Sequence, residues 1–466
     1  MKKIKISDSL KAKSRKFLRV FGTSVLAVSC ALTLTGCSQK QIVATPKQMV
    51  VWGFVDEDVV KPLIVSFSKR NSVEVKYYKK ELGSTYETDA LNSILSGQGP
   101  DVWAIPNDWV YRHKDMLAPM PETLVKERKL VMKDTFADPI LKDNVFDNNI
   151  YGMSPTVDVL QIFYNPGLWD AARNNFRKNY NGSDKDEISA IFNKFPVTWN
   201  EFNKIIPYLT IRNGTTIQQA AAAIGTSNNV TNSNDILSLL MLQNQTKMVA
   251  DSLDLATFNL PIKNSAGTDV FPGKNALDFF TSYSNPGSAN YTWNGSMPND
   301  IDAFVQSKAV MIFGYTALAN YIQQVYPKFE ISRALVPQVG DLNPITDYAK
   351  YTSYVVPEAS PLSTKAWDFV AQLSIDEASS YRSATKELPS KKNTEDLPLA
   401  KRSPNGAPSN SELSTAVTWS KGRYPVEVDN LLKDAINRVV NRSQNSQAAL
   451  DTSAAAATEL LRRKTW

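Results

Sequence analysis

Cysteine occurs only twice in 466 residues, at Cys30 and Cys37, and histidine once, at His113. Beyond residue 37 there is therefore no thiol for a disulfide framework, a Cys-ligated metal or a thiolate nucleophile. A Ser-His-Asp hydrolase or a His-rich zinc site would have to rely on His113 alone. The run Tyr111-Arg112-His113-Lys114-Asp115 reads as a charged helix surface, with His113 facing solvent. No Gly-Lys-Ser/Thr phosphate loop occurs, and Gly97-Gln98-Gly99 lacks the further glycine of a dinucleotide fingerprint. Asn181–Glu187 fails as a calcium loop: with Gly182 at the loop glycine, Arg177 would stand where the first acidic ligand belongs. No cofactor and no metal are expected.

Basic charge is also scarcer than the total suggests. The chain carries +6, but residues 1–36 hold eight Lys or Arg against Asp8, a balance of +7, which leaves −1 for the remainder. That balance does not argue for nucleic-acid binding, which wants a basic stripe on the folded domain, and no nucleic-acid partner is expected. With 42% hydrophobic and 21% charged residues the composition is globular. The 430 residues from Cys37 onward suffice for two or three domains with cores that need no staples.

The basic segment from Lys2 to Arg19 precedes an uncharged run, Val20 to Thr35. At 16 residues it falls short of the roughly 20 that a membrane span needs, and the layout is that of an export signal. It ends in Leu34-Thr35-Gly36-Cys37, which resembles the lipobox of bacterial lipoproteins. The resemblance implies cleavage of residues 1–36, lipidation of the Cys37 thiol and attachment outside the cytoplasm through a polar tether, 37–47. One acyl chain holds a protein only marginally, so stable anchoring implies more than one.

The body alternates strands and helices. Gln48–Val55, Val73–Tyr78 and Asp101–Ile105 read as strands; acids at Asp56–Asp58 open a helix whose apolar face is Val59, Leu63, Ile64 and Phe67. Thr198 with Glu201 three residues on reads as a capping box. Lys308–Gly314, Ile331–Val336 and Tyr351–Pro357 are further strands; Lys365–Leu373, Val426–Val440 and Gln447–Leu461 are helices. This order predicts an α/β fold with parallel sheets flanked by helices.

Several segments then carry a family likeness: Val50-Val51-Trp52-Gly53, Gly97-Gln98-Gly99-Pro100-Asp101-Val102, Tyr151-Gly152-Met153-Ser154-Pro155-Thr156-Val157-Asp158, Phe163-Tyr164-Asn165-Pro166-Gly167-Leu168-Trp169 and Phe304-Val305-Gln306-Ser307-Lys308-Ala309-Val310-Met311. Over 48–462 the chain resembles the extracellular solute-binding lipoproteins of ABC importers, the group that includes maltose-binding protein. The resemblance implies a two-lobe periplasmic-binding-protein-like fold, each lobe a mostly parallel sheet, with ligand held between the lobes. It implies crossings near 157, 314 and 364, giving an N-terminal lobe of 48–157 and 315–364 and a C-terminal lobe of 158–314 and 365–466. It also implies a monomer that delivers a carbohydrate, an oligosaccharide or related polyol, to membrane permease subunits.

A sugar cleft needs flat aromatics for the ring face and Asp, Asn, Glu or Arg for the hydroxyls, and in open α/β sheets ligands gather at the carboxyl ends of strands. That rule selects Trp52, then Asn107, Asp108 and Trp109 after the third strand. Trp293, in the polar loop Tyr291–Gly295, is expected to be exposed for binding, and Trp419 follows a long loop. The family likeness adds Asp158 near the hinge and Tyr315 after a buried strand. Trp103, Trp169, Trp199 and Trp367 fall at core positions. Segments 172–194 and 395–414 look longer than the family core and could reshape the cleft. The rival readings are a glycoside-active enzyme, which would use two carboxylates and no His or Cys, and a sugar-sensing or adhesion lipoprotein.

Overall fold

The computed structural model describes residues 47–340, 344–392 and 410–463; residues from Pro46 onward form one compact unit. The signal 1–36, Cys37, the tether to residue 46 and 395–409 of the second insertion lie outside the described residues.

Two five-stranded sheets organise the unit. In the N-terminal lobe the order is Val73–Lys79, Lys47–Gly53, Val102–Pro106, Thr352–Val355, Gly152–Met153. The first three strands are parallel; Thr352–Val355 runs antiparallel to both of its neighbours. In the C-terminal lobe the order is Ser332–Leu335, Gln161–Tyr164, Ala309–Gly314, Thr216–Ala222, Ile211–Asn213, with one parallel pair among four. Both sheets are therefore mixed, with four of five strands running the same way in the first and three of five in the second. The cause is the crossings: Gln161–Tyr164 and Thr352–Val355 enter their lobes from the hinge, so they run against the strands that end there, Ala309–Gly314 and Val102–Pro106.

A third, four-stranded sheet is the hinge. Its order is Leu388–Pro389, Thr156–Val159, Asp347–Lys350, Ala416–Val417. The chain passes into the C-terminal lobe through Thr156–Val159, returns through Asp347–Lys350 and passes again through Ala416–Val417. The crossings expected near 314 and 364 thus lie at 347–350 and 416–417. Ser332–Leu335 pairs with Gln161–Tyr164 in the C-terminal lobe. Helix Ser363–Ala371 packs in the N-terminal lobe, where Phe369 meets Phe67 edge-on at 5.2 Å.

Each lobe has its own core. Met49, Val51, Phe67, Val102, Ala104, Trp367 and Phe369 are buried in the N-terminal lobe, with a smaller cluster around Trp103. Trp169, Phe192, Trp199, Phe202, Phe280 and Phe313 are buried in the C-terminal lobe. The capping box forms: Thr198 Oγ1 accepts from Glu201 N at 3.2 Å while the Glu201 carboxylate reaches back to Thr198 N. The 172–194 segment forms most of helices Pro166–Asn179 and Lys185–Lys194, whose Phe176 and Phe192 sit 5.6 Å apart in that core. It thickens the lobe's outer side and does not line the cleft.

Candidate functional site

Asp158 lies on the first crossing strand and is 4% exposed. It accepts from Thr316 N at 2.5 Å, Thr316 Oγ1 at 3.0 Å and Val159 N at 2.9 Å, so it tethers the start of helix Thr316–Val325 to the hinge. A carboxylate there also suits the helix dipole. Burial nevertheless outweighs these bonds and the nearby Arg333, and pushes the Asp158 carboxyl up to about 6. Glu387 lies close enough to couple: burial first, and the charge of Asp158 second, push it up to about 7.

Both acids favour their protonated forms in the folded state, so the hinge is more stable in mild acid. For Asp158 alone, a rise from 3.8 to about 6 corresponds to about 3 kcal/mol, fully present below pH ~4 and lost as pH climbs through ~6. About 1.4 kcal/mol of this falls between pH 5 and pH 8. Urea unfolding is expected to give a higher midpoint at pH 5 than at pH 8, and Glu387→Gln, which removes the neighbouring charge, to flatten that slope. An unchanged slope in the variant would show that the two acids do not communicate.

Between the lobes, two polar knots meet. In the first, the Asp143 carboxylate accepts from Asn107 Nδ2 at 2.8 Å, Tyr351 Oη at 2.9 Å and Thr418 Oγ1 at 2.9 Å. Lys142 Nζ lies 2.5 Å from the Thr418 carbonyl. Burial raises the pKa of Asp143 and lowers that of Lys142. Asn107 and Asp143 belong to the N-terminal lobe, whereas Thr418 follows the last crossing into the C-terminal lobe.

The second knot centres on Lys421, 3% exposed. Its Nζ lies 3.3 Å from Asp108 in the N-terminal lobe and 2.8 Å from Asp429 on helix Pro425–Val440 of the C-terminal lobe. Burial alone would discharge this amine, but Asp429, Asp108 and Asp235 hold its pKa well above the ordinary lysine value. Asp235, 1% exposed at the start of helix Ser233–Gln243, receives Tyr315 Oη at 3.0 Å and Lys350 Nζ at 3.3 Å. Burial opposes its charge, and Lys350 and Lys421 overcome that, so its pKa is lowered. Trp419 packs beside them, its Nε1 donating to Ser238 Oγ at 3.2 Å. The rim is closed by Arg423–Asp115 at 2.7 Å and Arg112–Glu427 at 3.6 Å.

A pocket of about 30 Å³ lies between the lobes, lined by Asn107, Asp108 and Asp143 from one side and Trp419 and Lys421 from the other. Each water needs roughly 10–15 Å³ of such space, so this cavity has room for about two. A sugar enters only if the lobes part. The bonds broken by parting are mainly polar and can be replaced by water, which keeps that motion within reach.

Asn107, Asp108 and Trp419 of the expected set therefore meet in one cleft, Tyr315 joins through Asp235, and Asp158 sits at the hinge. Three aromatics do not reach that cavity. Trp52 is 8% exposed and lies between Tyr86 and the Lys80 amine, 3.9 Å from its ring. Trp109 packs edge-on against His113 at 6.0 Å. Trp293 is fully buried, its Nε1 donating to Asn229 Oδ1 at 3.0 Å. Its loop is polar because those groups fasten it inward: Thr292 Oγ1 accepts from Ala221 N at 2.7 Å. His113 is no surface residue either; it is fully buried between Trp103 and Trp109, with Glu87 3.0 Å from Nε2. Asp143, Asp235, Lys350, Tyr351 and Lys421 were not singled out by sequence. The signal that could have found the last is its place two residues after Trp419.

A family profile of bacterial extracellular solute-binding proteins matches residues 63–408. The chain belongs to that family. Among solved structures, this solute-binding protein is similar to the sugar-binding protein MalE of Xanthomonas citri, with TM-score 0.67 and 19% identity over 89% of this chain and 97% of that one. It is also similar to an ABC substrate-binding protein of Listeria monocytogenes in complex with cycloalternan, with TM-score 0.67 and 16% identity over 90% and 100% of the two chains. At these identities the likeness establishes the fold. A curated relative, the galactooligosaccharide-binding protein of Bacillus subtilis, is 25% identical over 152 residues, 31% of this chain and 34% of that protein. The match thus spans about a third of that relative's length. No helix among the described residues is long and apolar enough to cross a membrane.

Proposed function

We propose that this solute-binding protein is the carbohydrate receptor of an ABC import system, anchored through a lipid on Cys37, and that it closes its lobes on an oligosaccharide or related polyol and passes it unaltered to the permease. The observation that supports this best is the makeup of the cleft. Trp419 from one lobe faces Asn107, Asp108 and Asp143 from the other, the pairing of a flat apolar face with hydroxyl partners that a pyranose requires. Each polar group left unmatched on closure costs about 1–3 kcal/mol, so such a cleft discriminates among sugars. A ligand touching both lobes shifts the population toward the closed state.

The test is calorimetry with a panel of maltooligosaccharides, galactooligosaccharides, cycloalternan and tagatose, alongside fluorescence transfer between one dye on each lobe. The absence of cysteine after residue 37 makes that labelling free of background. One sugar is expected to give heat, to move the dyes and to be recovered intact, and Trp419→Ala to weaken it at least tenfold. Failure of every sugar to do either would end the carbohydrate reading, and recovery of cleaved product would favour the glycoside-active one. Mass spectrometry of membrane-extracted protein is expected to find the amino-terminal peptide starting at an acylated Cys37.

A further inference from the structure

We propose that the C-terminal lobe carries a second binding site, for a single neutral pyranose ring, in the open groove bordered by helices Trp199–Leu209, Ser233–Gln243 and Pro272–Ser282. This cavity measures about 330 Å³, some ten times the pocket described between the lobes. That is the lower end of the range for small-molecule sites, which suits one ring and not a chain.

Its lining has one chemical character. The side chains of Asn200, Asn203, Asn244 and Asn275 converge on it together with the aromatic rings of Trp199 and Phe279, and among the described residues none that lines it is charged. The two rings hold each other edge-on, 5.5 Å between centroids, and form a rigid apolar wall. Asn203 commits Oδ1 to the Tyr283 hydroxyl at 2.5 Å, and Asn244 commits Nδ2 to the Pro272 carbonyl at 2.9 Å. Nδ2 of the first and Oδ1 of the second are left over. The amides of Asn200 and Asn275 have no hydrogen-bond partner among the described residues. The cavity therefore offers donors and acceptors in similar number beside an apolar wall. A hydroxyl both donates and accepts, so it matches such a mixture, whereas a phosphate or carboxylate would find no cation there.

This cavity is distinct from the cleft. Asp235 in the first turn of helix Ser233–Gln243 faces the cleft, and Asn244 stands just beyond the last turn, roughly 14 Å further along the axis. The three helices that border the groove all belong to the C-terminal lobe, so occupancy needs no lobe closure.

The experiment uses methyl β-D-galactopyranoside and methyl α-D-glucopyranoside as probes, at millimolar concentrations, in saturation-transfer NMR and calorimetry. It compares the wild type, Trp419→Ala, and the double variant Asn200→Ala with Asn275→Ala. Both asparagines are exposed and their side chains have no partner among the described residues, so the double variant is expected to unfold at the wild-type midpoint. At least one probe should bind the wild type and Trp419→Ala alike and bind the double variant at least tenfold more weakly, with no change in dye separation. If the probe binds but the double variant binds it as well as the wild type, the site is elsewhere and the proposal falls. If neither probe binds the wild type, it also falls, while oligosaccharide binding at the cleft stands or fails on its own titration.

Discussion

Replacing Lys421 with alanine is expected to drive the two lobes apart. In the closed arrangement this one amine stands between Asp108 on one lobe and Asp429 on the other, with Asp235 close by. Without it, carboxylates from both lobes would face each other with little access to water. Removing one partner of a buried ion pair costs about 3–5 kcal/mol. Here the protein can avoid that cost by opening, since opening returns Asp108 and its neighbours to solvent. The loss should therefore fall on the closed state, moving the open–closed balance by about a hundredfold or more. Dyes on the two lobes, or small-angle scattering, should report a more extended molecule. Lys421→Met, which keeps the length and removes the charge, should do the same, which separates charge from bulk. Unchanged lobe separation in both variants would mean that Lys421 does not hold the lobes together.

Trp293→Ala is expected to act on folding and not on recognition. The indole is fully buried in the C-terminal core and bonded to Asn229. Truncating a buried tryptophan costs about 3–5 kcal/mol, a large part of the 5–15 kcal/mol that holds a typical domain folded. The urea midpoint should drop accordingly, while the fraction still folded binds sugar as the wild type does. Trp419, 4% exposed and packed in the same core, also borders the cleft, so Trp419→Ala should lose stability and ligand together. A Trp293→Ala protein that unfolds like the wild type and has lost its ligand would place that indole in the cleft and overturn its assignment to the core.

The contrast between these two tryptophans marks where sequence reading stops. Continuous apolar runs such as Met49–Trp52 and Val102–Ile105, short and ended by Gly or Pro, announce buried strands. Thr198 and Glu201 announce a helix start, because their side chains satisfy local backbone donors. Loops carry no such local signature: Tyr291–Gly295 and Val417–Ser420 are equally polar and equally Trp-bearing, both indoles turn inward, and only the tertiary fold decides that Trp419 also borders the space between the lobes. The hinge was hidden for a similar reason. Asp347–Lys350 and Ala416–Val417 are too short to show a period, so the crossings near 314 and 364 rest on the family likeness alone. Asp143 and Lys421 went unnoticed because a lone charge in a polar stretch ordinarily faces solvent, and nothing local reveals the opposite charge across a cleft.

The threefold passage of the chain between the lobes also constrains how the protein can be made. The C-terminal core is finished only by Val428, Leu432, Ile436, Ala449 and Leu450, on the last two helices. A polypeptide threaded amino-terminus first through a translocation pore would have to emerge almost to its final residues before that half could mature. Until then its apolar surfaces would be open to proteases and to aggregation, so the slow step in biogenesis should be release of the tail, and nascent chains cut short before residue 425 should be degraded.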